Sequence, residues 1–160
     1  MRRMCIGIEF FPDGEQKLVL FDSQRPELPV RSRDGGIAFY RWGTRNATHY
    51  AADNTPGWTI KFPEGGWAPL QQIRAGAWDK FEPRSVRLVV ARFLQVDSWS
   101  LPRYFPLRPG EFIQGLLATL NHDTRVYVVT VPLPGEFADE QWQWPRILPA
   151  HKGRPPATTP

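Results

Sequence analysis

Apolar and polar positions alternate in short bursts along this chain, and turn-forming residues close each burst within a few positions. Residues 6–11 set Ile6, Ile8 and Phe10 against Gly7 and Glu9, the period-two pattern of a half-buried strand, and Pro12-Asp13-Gly14 ends them as a turn. Residues 17–21 make a second short apolar run. Residues 28–31 and 37–42 flank Asp34-Gly35-Gly36, a glycine-bearing turn of the kind that joins a hairpin. The 43–66 stretch is polar and broken by Pro56-Gly57, Pro63 and Gly65-Gly66, so it reads as a long surface loop with a brief strand near Trp58. Leu70, Ile73, Ala77 and Phe81 recur at helical spacing, which predicts a helix over 69–81 that Pro69 opens and Gly76 weakens.

Strand signals then return. Residues 86–96, VRLVVARFLQV, read as one strand dense in β-branched and aromatic side chains, delivering Asp97 and Ser98 at its end. Residues 103–107 form a short strand between prolines. Phe112, Ile113, Leu116, Leu117 and Leu120 have helical spacing despite Gly115 among them. Residues 125–131 read as a strand, 136–142 as a helical turn and 146–148 as a last strand. The Pro- and Thr-rich residues 150–160 carry too few apolar side chains to pack and are expected to be disordered, leaving one domain over residues 4–149.

Composition narrows the chemistry. One cysteine excludes an internal disulfide, and His49, His122 and His151 lie too far apart for zinc-ligand spacing, so no metal and no other cofactor is expected. A reducing, cytoplasmic setting fits. Arg2-Arg3 resembles the start of an export signal, but Glu9, Pro12 and Asp13 interrupt the apolar run, and no stretch reaches membrane-spanning length. The formal charge is +4, and sixteen of the 20 basic residues are arginine, whose planar fork suits phosphate. Seven Trp and ten Phe accompany them, the composition of a groove that stacks single-stranded bases, although most of those rings must also build the core. No phosphate-binding glycine loop, serine elbow or dinucleotide fingerprint is present, which removes support for the common enzyme classes.

Cys5 directly follows Met4, and Met1-Arg2-Arg3 reads as an extension ahead of the true start. Translation from Met4 with methionine removal would leave Cys5 with a free α-amine beside its thiol, a pair with reference pKa values of about 8 and about 8.5. Such a pair captures an aldehyde as a Schiff base and closes it to a thiazolidine. The alternative is a cysteine that merely fills a first strand as a small hydrophobe.

The order and spacing of these features resemble the SRAP family (SOS response-associated peptidase-like proteins). The resemblance runs through Met4-Cys5, LPVRSRDGGIAFYRWG at 28–43, Pro56-Gly57-Trp58 after an insertion, and SVRLVVARFLQVDSW at 85–99. It continues through Arg103-Tyr104-Phe105, Gly115-Leu116-Leu117, and residues 127–130 and 145–148. It implies an α+β, strand-rich single domain with a curved, barrel-like, mainly antiparallel sheet and few short helices, and it turns residues 115–120 into a strand. It also implies a DNA damage response protein that attaches covalently to abasic sites in single-stranded DNA, here a diverged, phage-related member.

Carried over residue by residue, Cys5 matches the family's crosslinking cysteine, while Ile6-Gly7 replaces its Gly-Arg and removes one phosphate contact. Gln72-Ile73-Arg74 stands nearest the family's Asn-Ala-Arg. Ser98, before Trp99, takes the place of the catalytic glutamate, with Asp97 the nearest carboxylate, and Gln141 falls at the family's histidine. The catalytic candidates are therefore Cys5, Asp97, Ser98 and Gln141; the nucleic-acid candidates are Arg41, Trp42, Trp58, Gln72, Arg74 and Arg92. The expected partner is single-stranded DNA, with no membrane and no metal. The competing expectations are an inactive DNA- or protein-binding module and, more weakly, a cysteine peptidase that removes its own leader but lacks a matching histidine to activate the thiol.

Overall fold

The computed structural model describes residues 5–45, 60–96, 101–132 and 143–149. Among them are β1 (Cys5–Phe10), β2 (Lys17–Leu20), β3 (Glu27–Arg31), β4 (Ile37–Trp42) and β5 (Trp67–Pro69), then the single-turn helix α1 (Leu70–Arg74) and a 3₁₀ turn (Asp79–Phe81). β6 (Arg84–Leu88), β7 (Arg92–Val96), β8 (Pro102–Pro106), β9 (Glu111–Leu120), β10 (Asp123–Pro132), β11 (Gln143–Pro145) and β12 (Ile147–Pro149) complete the order. The fold is α+β and strand-rich, as the resemblance implied.

Five strands close on themselves. β10 pairs with β4, β4 with β3, β3 with β6, β6 with β9, and β9 returns to β10, a ring that is antiparallel except for β10 beside β4. β5 adds to β10 in parallel, while β11 and β12 extend β10 and β9. A second sheet, ordered β2-β1-β7-β8, is antiparallel throughout. One apolar cluster joins the two: Ile8, Phe10 and Phe93 from the small sheet meet Leu28, Trp42, Leu88 and Val128 of the barrel. Another packs Phe62, Trp78 and Phe81, with Leu70 and Ile73 of α1, against Leu116, Ala118, Tyr127 and Val129.

These two clusters explain why the spacing in residues 112–120 misleads. Ile113 and Leu117 of β9 belong to the first cluster, and Leu116 and Ala118 to the second. With both faces covered, a strand loses its alternation and its apolar run imitates a helix. The strand is closed by a two-residue turn in which Asn121 and His122 both take positive φ, 50° and 67°, the geometry that keeps tight hairpins twisted correctly.

Two other expectations are corrected. The helix over 69–81 stops at Arg74, because Gly76 enters the left-handed region (φ 86°) and its N–H bonds Ile73 O while Ala77 N–H bonds Gln72 O. That pair of bonds is a glycine-terminated helix end. Likewise, the strand over 86–96 is two strands in different sheets. Between them Val89 N–H reaches Pro29 O in the barrel and Ala91 N–H reaches Glu9 O in the small sheet, so the segment crosses from one to the other. The expected strand near Trp58, the helical turn at 136–142 and the tail at 150–160 lie outside the described residues.

Candidate nucleic-acid site around Cys5

Cys5 opens β1, and a local irregularity decides which way it faces. Cys5 pairs with Gln95 and Gly7 with Leu94, so two steps on β1 oppose one on β7 and Ile6 is the extra residue of a bulge. Without it Cys5 would share a face with Gly7 and Glu9. With it, the side chain joins Ile8 and Phe10 in the core, fully buried. Its thiol donates to Gly7 O at 3.3 Å, and its carbonyl accepts from Trp67 Nε1 at 2.8 Å. Burial pushes the thiol up from its ordinary 9.0 to about 12, against which the Gly7 carbonyl contact acts only weakly.

Gln95, the register partner of Cys5, is also buried, at 2 % exposure. Its amide nitrogen donates to Gln143 O at 3.4 Å, but its Oε1 has no hydrogen-bond partner among the described residues. Gln143 Oε1 accepts in turn from the buried Thr130 hydroxyl at 2.8 Å. An unsatisfied amide oxygen in a dry interior costs on the order of 1–3 kcal/mol, so this atom marks the polar point beside Cys5. Sequence reasoning missed it because Gln95 sits inside an apolar run.

Beside the bulge lies a 520 Å³ depression whose lining includes Ile6, Trp67, Gln72 and Trp78. Gln72 is thereby brought next to the start of β1. Arg74 and Arg41 are exposed, and neither has an ion-pair partner among the described residues.

Two candidates need correction. Trp42 is 1 % exposed, with Phe21 at 5.3 Å and Trp67 at 6.3 Å from its ring, and it donates through Nε1 to Gly66 O at 2.9 Å. It is a core residue with no face free for a base. Arg92 is an ion-pair partner of the buried Glu9, which also accepts from Gln16, and its guanidinium stacks 3.9 Å above Tyr104. A guanidinium committed to a buried carboxylate is not a free phosphate ligand. Asp97, Ser98, Gln141 and Trp58 lie outside the described residues.

Residues 44 and 65 flank a stretch that lies largely outside the described residues, and they pair with each other. Thr44 and Gly65 exchange backbone hydrogen bonds of 2.9 and 2.7 Å, and Gly43 (φ 59°) leaves no room for a side chain, since a Cβ there would sit 2.1 Å from Gly65 O. Thr44 Oγ1 and the Tyr127 hydroxyl lie 3.2 Å apart, which ties this pair to β10.

No family model, no curated protein and no solved structure matches the chain. Among the described residues no cluster of three or more His, Cys, Asp or Glu side chains could hold a metal, and no helix is long and apolar enough to cross a membrane.

Proposed function

We propose that this is an SRAP-like domain that recognises single-stranded DNA at abasic sites, in a reducing cytoplasm, and captures the opened sugar through Cys5. The observation that carries the reading is the bulge-directed pairing of Cys5 with Gln95, beside a depression lined by Gln72 and Trp67. Gln95 is a glutamate-sized side chain whose backbone pairs with that of Cys5, and in this reading it serves as the polar group beside the cysteine. A depression of 520 Å³ is in the range that accepts a small ligand such as a single sugar.

The chemistry balances without a cofactor. The free α-amine of Cys5 adds to the sugar aldehyde and water leaves, giving an imine. The thiol sulfur then adds to the imine carbon, and the thiol proton passes to the nitrogen. This route begins at the amine, so its first step does not require a thiolate, and the sulfur is called on only for ring closure. A peptidase does require a thiolate, and a thiol held up to about 12 is a poor nucleophile of that kind.

The same burial favours a second reading, in which the domain binds such DNA without forming the covalent bond. Denaturing gels separate the two. Protein begun at Met4 should give a heat-stable shifted band with an abasic oligonucleotide, whereas Cys5→Ala and protein retaining Met1 should not. Native binding without any shifted band would leave only the second reading.

A further inference from the structure

The seam between β3 and β6 is held by two register pairs, Val30 with Leu88 and Arg31 with Arg87, and then it opens. Beyond it the β3–β4 turn and the first residues of β6 diverge, leaving an 810 Å³ cleft. Arg31 and Arg33 line it from the turn side, Arg84 and Arg87 from β6, with Ser85 and Tyr40 between. All four arginines are exposed, and none has a carboxylate ion-pair partner among the described residues. The nearest acid by sequence, Asp34, is occupied within its own turn, accepting from the Ser32 hydroxyl and, at 2.9 Å, from Gly36 N–H. Arg31 and Arg87 stand directly opposite each other, a like-charge pairing that weakens a sheet unless something anionic lies over it. In the five-strand ring β3 and β6 are the two strands that do not touch β10, so this seam lies across the barrel from the strand that carries β5. The cleft and the depression beside Cys5 share no lining residue.

We propose that this cleft is a second contact surface, a channel for the phosphodiester backbone of single-stranded DNA, gripped by Arg31, Arg33, Arg84 and Arg87. The proposal rests on the DNA-recognition reading above and extends it to a part of the strand away from the captured sugar. Four guanidiniums from β3, its turn and β6 suit an extended chain of phosphates better than one compact anion, with Arg31 already steadied by a 2.8 Å bond to Gly35 O and Arg87 by the Phe112 ring 4.8 Å below it.

The test is fluorescence anisotropy with a labelled oligothymidylate carrying no abasic site, titrated at several salt concentrations. Arg84→Gln/Arg87→Gln should weaken binding at least tenfold at low salt and lower the slope of log affinity against log salt by about 1.4, since each single-strand phosphate contact contributes about 0.7. Lys17→Gln/Arg108→Gln, which removes the same charge elsewhere, should change the slope by less than half as much. Should the β6 pair fail to fold, Arg31→Gln/Arg33→Gln, at the exposed end of β3 and in the turn after it, should give the same loss. Equal losses in cleft and control variants, wild-type protein that ignores the oligonucleotide, or cleft-dependent binding only to phosphatidylserine vesicles would each overturn the proposal. The two readings fail separately. An abasic-site adduct with unchanged oligothymidylate binding in the cleft variants removes the channel alone, and cleft-dependent binding without an adduct removes the capture alone.

Discussion

Burial keeps the Cys5 thiol protonated up to about 12, whereas an unfolded chain releases that proton near 9.0. A pKa raised by folding contributes stability in full below the unfolded value and loses it as pH climbs toward the folded one. Unfolding free energy should therefore fall by up to about 1.4 kcal/mol per pH unit above pH 9 because of this group. Urea titrations of wild type and Cys5→Ala across that range check it, the variant lacking this component of the slope. Arg92 offers a second residue-level test. Its guanidinium is 39 % exposed but its partner Glu9 is wholly buried, so Arg92→Leu leaves a charge in the core and should cost about 3 kcal/mol by chemical denaturation. Gln95→Glu places an acid opposite Cys5 where a neutral amide now stands. If capture is limited by proton transfer, adduct formation timed on denaturing gels should accelerate by about 10².

At the scale of elements, legibility followed burial. Residues 37–42 were readable as a strand because the Asp34-Gly35-Gly36 turn marks where a hairpin returns, even though exposed Ile37 and Phe39 blur the alternation of a strand that buries Trp42. Residues 112–120 were not, because both faces of β9 are covered and periodicity vanishes. The run at 86–96 hid a change of sheet, since Val89 and Val90 are as strand-like as their neighbours and no glycine or proline marks the crossing. The bulge at Ile6 also had no local sign, yet it decides where Cys5 points. Gly43 makes the element-scale prediction. Its left-handed backbone and contact with Gly65 admit no Cβ, so Gly43→Ala should lower stability by about 2 kcal/mol or more and shift the melting temperature accordingly.

Across the whole molecule, the barrel, the small sheet and the β5–α1 segment converge on the start of β1, with Trp67 holding the Cys5 carbonyl and Gln95 closing the other side. The strand-rich class was legible from the density of short alternating runs. Of the candidates, Cys5 and Gln72 lie near one end of β1, while Trp42 and Arg92 are drawn into packing that only tertiary contacts disclose. Gln95 became visible through register alone. The account depends most on Cys5 reacting through its own amine and sulfur. Peptide mass mapping of nuclease-trimmed protein, begun at Met4 and incubated with abasic single-stranded DNA, reads this directly. The account predicts the sugar remnant on the peptide that starts at Cys5, with its mass reduced by one water relative to the separate parts. A remnant on a lysine side chain, or none at all, would contradict it.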